Sequence, residues 1–207
     1  MDHVSDRVRN PFNLGVPEGM EDCTTVHGYG DASADFHLIG DHPGSHGGVD
    51  TGVPFTETRS GRKLQSVMHE VGFLKDEYGE RPAVDNFYMS YVNCCFCGGE
   101  PALLDYALTE RFFDAELRAI NAHILMPVGE KALRTVLQNY TNQAHRFEDR
   151  SLGDLHGRHI RGMGFMVVPI EEPLDWRDGV SEELVSNLEA ILNSNYLQTK
   201  GVATRIG

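Results

Sequence analysis

The chain has 207 residues, 31 of them acidic and 18 basic, for a formal charge of −13. That length fits one domain with a substantial core, and 40% hydrophobic against 24% charged residues excludes a disordered or fibrous chain. No apolar run approaches the roughly 20 residues of a membrane span, the opening MDHVSDRVRN lacks a secretory core, and the net negative charge opposes indiscriminate DNA binding.

In chain order, residues 1–34 are polar with little periodicity, and Asp35 to Gly40 reads as a short buried strand ending at glycine. A Gly-rich loop runs from Asp41 to Thr58. Ser60 then caps a helix with Leu64, Val67, Met68 and Val71 on one face. Asn86 to Asn93 reads as a second strand entering a Cys/Gly loop, and a helix covers about Leu104 to Ala122. His123 to Gly129 is a third strand, followed by a short helix to about Gln138. Residues 141–161 read as a long polar loop and Phe165 to Val168 as a fourth strand. Ser181 caps a final helix over about 181–193, with Glu182 and Glu183 in its first turn. Strands alternating with amphipathic helices predict an α/β fold, a three-layer α/β/α sandwich around a mostly parallel four-stranded sheet, forming a single domain over 1–207. Ligands of such sheets bind beyond the carboxyl ends of the strands, which points to the loops after Gly40, Asn93, Gly129 and Val168.

Those loops carry ordered motifs over about residues 20–175. Gly40-Asp41-His42-Pro43-Gly44 leads to Gly52-Val53-Pro54-Phe55. Three blocks follow, Tyr88-Met89-Ser90-Tyr91-Val92-Asn93-Cys94-Cys95, Ile124 to Gly129, and Val167 to Pro173. Their order and spacing resemble the uracil-DNA glycosylase superfamily, nearest its iron–sulfur-containing class. The resemblance implies hydrolysis of an N-glycosidic bond in DNA. Such a site flips a base out, stacks it, reads its edge, places a water and stabilises the leaving charge.

The resemblance gives Asp41 the water and Phe55 the stacking platform, with Gly40, His42 and Pro54 beside the base. The superfamily's base-reading asparagine falls at Tyr91. Asn93, two residues on and so on the same side of a strand, either takes over base reading or caps the strand. Glu172 stands where the superfamily has a histidine, and an ionised carboxylate there repels a departing base anion. Three outcomes remain open: a protonated Glu172 that donates a hydrogen bond, another donor such as His156 or His159, or a purine substrate protonated by a carboxylic acid. DNA-backbone contacts are expected from His46, Arg59, Arg158 and Arg161. The loop bearing Arg146, Arg150, Arg158, Arg161, His145, His156 and His159 also holds Glu148, Asp149 and Asp154. It either grips phosphates or is solvated with internal ion pairs.

Four cysteines are too few for a disulfide scaffold in a chain this long, so free thiols in a reducing cytoplasm are expected. In the resemblance Cys23 and Cys95 match two of the four cluster cysteines, while Met20 and Phe113 or Asp114 stand at the others. An iron–sulfur cluster is therefore not expected, since a cubane needs four thiolates, and no other cofactor is implied. Cys94 and Cys97 form a new Cys-x-x-Cys that, with Cys23 and Cys95, offers a metal reading against buried, silent thiols.

The expected protein is a monomeric glycosylase acting on uracil or another deaminated base in DNA. Its rivals are a non-catalytic DNA- or nucleotide-binding relative and a metal or redox sensor built on the cysteines. With 14 Arg and 4 Lys, the composition suits either high salt or an Arg-rich codon bias. Charge is uneven: residues 1–36 carry −5 and 171–190 carry −6, leaving −2 for the rest. The motif-bearing stretch is nearly neutral, which permits DNA binding.

Overall fold

The computed structural model describes residues 8–147, 149–162 and 164–196. In chain order the elements are β1 (Thr24–Thr25), β2 (Tyr29–Gly30), β3 (Phe36–Gly40), α1 (Pro43–His46), α2 (Arg59–Val71), β4 (Phe87–Tyr91), β5 (Cys95–Phe96) and α3 (Leu103–Ile120). They continue with β6 (Ile124–Pro127), α4 (Gly129–Tyr140), α5 (Leu152–Leu155), β7 (Ile160–Arg161), β8 (Met166–Val167) and α6 (Val180–Leu192). Single 3-10 turns lie at Ala144–Arg146 and Pro173–Asp175.

The four expected strands form the parallel centre of the main sheet, in the order β4-β3-β6-β8. Among the described residues the sheet has six strands rather than four, because β2 and β7 add antiparallel edges. β1 and β5 pair separately as a small antiparallel ladder. The polar N-terminal stretch and the 141–161 loop thus contain strands, and the loop also contains α5. Glu148 lies outside the described residues, as does the Arg146 side chain.

Alternating strand residues build a core on each face of the sheet. Phe36, Leu38, Phe87, Met89, Ile124 and Met126 pack with Leu64 and Met68 of α2 and with Leu184 and Leu188 of α6. On the other face, Ile39, Tyr88, Leu125 and Val167 pack with Phe113 and Leu117 of α3 and Ala132 and Val136 of α4. The second face also takes His37, whose Nε2 is 2.7 Å from the Ser90 hydroxyl. Burial pushes the His37 pKa down to about 3, so the ring is neutral.

Two caps differ from expectation. Thr58, not Ser60, caps α2 by accepting the Gly61 N–H at 3.0 Å, and Ser60 lies inside the helix. Gly179 in a left-handed conformation precedes α6, and the Ser181 hydroxyl donates to Glu182 instead of capping. The chain runs from β3 through α2 to β4, then crosses back through α3 to β6 on the other side of β3. The connections therefore reverse between β3 and β6, and the carboxyl ends of those strands flank the crevice where α/β sheets bind ligands.

Candidate active site

Asp41 directly follows β3 and is half-buried at this crevice. Three contacts fix it. Its Oδ1 accepts the Tyr106 hydroxyl at 2.7 Å, its carbonyl accepts the Asn93 N–H at 2.9 Å, and its own N–H meets His46 Nδ1 at 3.3 Å. Burial, reinforced by the Asp41 carboxylate, raises the Tyr106 pKa strongly, so the hydroxyl keeps its proton and donates. The Lys131 ammonium lies over the other side of the Tyr106 ring, 4.2 Å from its centroid.

An amide N–H can only donate, so His46 Nδ1 accepts and the ring proton sits on Nε2. That nitrogen is 3.0 Å from Glu172 Oε2, and the Ser60 hydroxyl donates to Glu172 Oε1 at 3.0 Å. Burial works to raise the Glu172 pKa, but the hydrogen bonds from His46 and Ser60 outweigh it and hold the carboxyl below its ordinary range. Glu172 is therefore ionised at neutral pH, against the protonated acid that was one expectation. His46 is buried between Asp41 and Glu172 rather than turned to solvent, which removes it as a phosphate contact.

Phe55 and Tyr91 form the floor of the site. Phe55 is fully buried and has φ +59°, a left-handed conformation that costs a side chain about 1–3 kcal/mol. Its neighbours hold it there. The Tyr91 hydroxyl accepts the Phe55 N–H at 2.8 Å and donates to the Gly47 carbonyl at 2.9 Å, while Gln65 Nε2 donates to the Phe55 carbonyl at 2.9 Å. The rings of Phe55 and Tyr91 lie 5.2 Å apart, with His46 at 5.6 Å from Phe55 and stacked on Tyr91 at 6.2 Å. Gly40 makes room for this: a Cβ there would come within 2.7 Å of Tyr91 Cε1 and 2.9 Å of Phe55 Cζ. Tyr91, at the position of the expected base reader, thus packs against the expected base platform.

Of the remaining expected residues, His42, Pro54, Asn93 and His156 are buried. His42 caps α1, its Nδ1 accepting the Gly44 N–H at 3.1 Å and its Nε2 lying 2.9 Å from the Ser45 hydroxyl. Asn93 is fully buried, its Oδ1 accepts the Cys95 N–H at 2.9 Å, and among the described residues Nδ2 has no hydrogen-bond partner. His156 accepts the Glu171 N–H at 2.9 Å and reaches the Val180 carbonyl at 3.3 Å. Burial lowers its pKa, so it supplies no positive charge to the crevice. Arg59 and Arg158 are exposed, Arg59 opening the helix whose next residue holds Glu172. Arg161 is exposed too, but pairs with Met166 at the amino end of β8 and is not brought to Asp41.

The cysteines depart from expectation. Cys23 and Cys97 form a disulfide across β1 and β5, and Cys94 and Cys95 are buried free thiols with their sulfurs 3.9 Å apart. Met20 packs against Cys94 and Cys95, and Phe113 sits in the α3–α4 core. These donors do not fit a four-thiolate cluster. Among the described residues, no three His, Cys, Asp or Glu side chains are grouped to hold a metal ion. The disulfide also removes the free-thiol argument for a reducing cytoplasm. No helix among the described residues is long and apolar enough to cross a membrane.

Sequence reasoning missed Tyr106, Ser60 and His46 as partners of the two carboxylates. Their signal is spatial: each contact joins a motif residue to one outside its own block. It also missed Glu116 of α3, fully buried under the sheet, for which a signal existed in a charge among the apolar positions Phe113, Leu117 and Ile120.

A relative, the type-5 uracil-DNA glycosylase of Thermus thermophilus, is 30% identical over 142 residues, which cover 65% of this chain and 61% of the relative. The match thus spans less than two thirds of that protein's length. The sequence profile of the Uracil DNA glycosylase superfamily matches residues 27–178, from just before β2 through the Glu172 turn. The chain belongs to the uracil DNA glycosylase superfamily.

Proposed function

We propose that this chain acts as a monomer that hydrolyses the N-glycosidic bond of uracil or another deaminated base in DNA, without a metal or cluster. The observation that carries this reading is Asp41, half-buried at the reversal of the sheet, with one carboxylate oxygen fixed by Tyr106. The second oxygen is left to orient a water and take its proton as the water attacks the sugar. As the bond breaks, the sugar becomes cationic and the base leaves with the electron pair. An ionised Glu172 cannot protonate that base. Its charge favours the cationic sugar instead, and it keeps His46 in place against Asp41. Arg59 and Arg158 supply phosphate contacts.

The test is single-turnover cleavage of oligonucleotides carrying uracil, hypoxanthine or xanthine, with protein in excess, at low and at molar salt. Cleavage of at least one supports the reading, and no cleavage at either salt overturns it. A second reading, a member that binds DNA without cutting it, is favoured by the complete burial of Phe55 against Tyr91. In that case Asp41→Ala and Phe55→Ala alter DNA affinity while no turnover is measured for any form.

A further inference from the structure

All four cysteines meet in one small lobe, although 74 positions separate Cys23 from Cys97. The lobe is built on the two-residue strands β1 and β5, with Thr24 opposite Phe96 and Thr25 opposite Cys95. The disulfide closes the next rung of this ladder. Among the described residues its hydrophobic cluster consists of buried Met20, Cys94 and Cys95 with partly buried Cys23, Leu108 and Phe112. A two-stranded ladder with so little core is not stable unaided, so the covalent link carries much of its order.

The link is open to attack. Cys97 is exposed while Cys23 is half-buried, and a cavity of about 190 Å³ beside Cys97 is lined by Cys95, Gly98, Gly99, Pro101 and the acids Glu100 and Asp105. The two carboxylates repel a reagent that carries carboxylates of its own, which leaves a thiol with no other charged group as the better fit. From the lobe, hydrogen bonds lead directly to the crevice. Val26 N–H donates to the Cys94 carbonyl at 2.7 Å, Cys95 N–H to Asn93 Oδ1 at 2.9 Å, and Asn93 N–H to the Asp41 carbonyl at 2.9 Å.

We propose that the cavity beside Cys97 is a thiol-exchange site at which a small uncharged dithiol reduces the Cys23–Cys97 disulfide and thereby loosens the segment that holds Asn93 against Asp41. The first thiolate of the dithiol attacks Cys97 Sγ, and the bond to Cys23 breaks. Cys23 leaves as a thiolate and takes up a proton. The second thiol of the reagent then displaces Cys97, which is also protonated, and the reagent departs as its cyclic disulfide. Two electrons pass from the dithiol to the protein disulfide. The proposal is independent of whether the chain cleaves DNA.

The experiment treats the full chain, purified without reductant, with dithiothreitol and follows three signals. Alkylation with mass spectrometry is expected to find Cys23 and Cys97 unlabelled before treatment and labelled after it. Trapping with 2-mercaptoethanol is expected to place the first mixed disulfide on Cys97. Amide hydrogen exchange at Val26, Asn93 and Cys95 is expected to quicken at least about tenfold, with the melting temperature falling by roughly 10 °C for a loop of this length. A Cys23→Ser/Cys97→Ser variant is expected to match the reduced protein and ignore dithiothreitol; if it does not fold, the wild-type titration decides alone. Reactive Cys23 and Cys97 thiols before reduction, or unchanged exchange at those three amides after it, would overturn the proposal.

Discussion

Replacing Glu116 by Gln isolates the cost of one buried charge. Glu116 lies under the sheet at 3% exposure, and its Oε1 accepts the Gly28 N–H at 2.7 Å and the Tyr88 hydroxyl at 3.0 Å. Burial pushes its pKa up from 4.5 to about 7, only partly opposed by those two hydrogen bonds. The folded chain thus keeps a proton that the unfolded chain has released, and the stability this confers is full below the unfolded pKa. It is lost as pH rises through the folded one. Between pH 5 and pH 8 the loss comes to about 2–3 kcal/mol. Glutamine retains the accepting carbonyl and cannot ionise. Calorimetry is therefore expected to show the melting temperature of Glu116→Gln gaining on the wild type by roughly 5–10 °C between pH 5 and pH 8. A difference that stays constant across that range would refute the reasoning, because it would mean the carboxyl is not kept protonated by the fold.

Two substitutions probe the crevice. Tyr106→Phe removes the donor to Asp41 while keeping the ring under Lys131. It is expected to slow single-turnover cleavage by about tenfold with DNA affinity and melting temperature nearly unchanged, the equivalent of one hydrogen bond, and an equal loss of affinity would contradict a positioning role. Tyr91→Phe leaves the buried Phe55 N–H and Gly47 carbonyl without their partner. Urea unfolding is expected to register a loss of about 1–3 kcal/mol, and a neutral result would show that the hydroxyl does not hold the strained Phe55 backbone.

β3, β4 and β6 were legible because each is a largely apolar run buried on both faces, as in Phe36 to Gly40 and Ile124 to Pro127. β1, β2 and β7 have two residues each, too short to show any period, and their pairing is set by distant partners. The cap of α2 moved from Ser60 to Thr58 because both can cap and only the fold shows that Ser60 faces Glu172. Motif order brought Asp41, Phe55, Tyr91 and Glu172 to one end of the sheet. It gave no sign that Tyr91 would pack against Phe55, 36 positions away, or that His46 would join Glu172 across 126. The disulfide was equally hidden, since the rung that places Cys23 opposite Cys97 depends on the β1–β5 register.

The proposed chemistry rests on the Asp41 carboxylate. Single-turnover cleavage of the best oligonucleotide substrate by the wild type and by Asp41→Asn, with DNA affinity measured in parallel, tests it most directly. The expected result is a loss of at least about a hundredfold in rate for Asp41→Asn with affinity retained, as for removal of a general base. A variant that cleaves as fast as the wild type would contradict it.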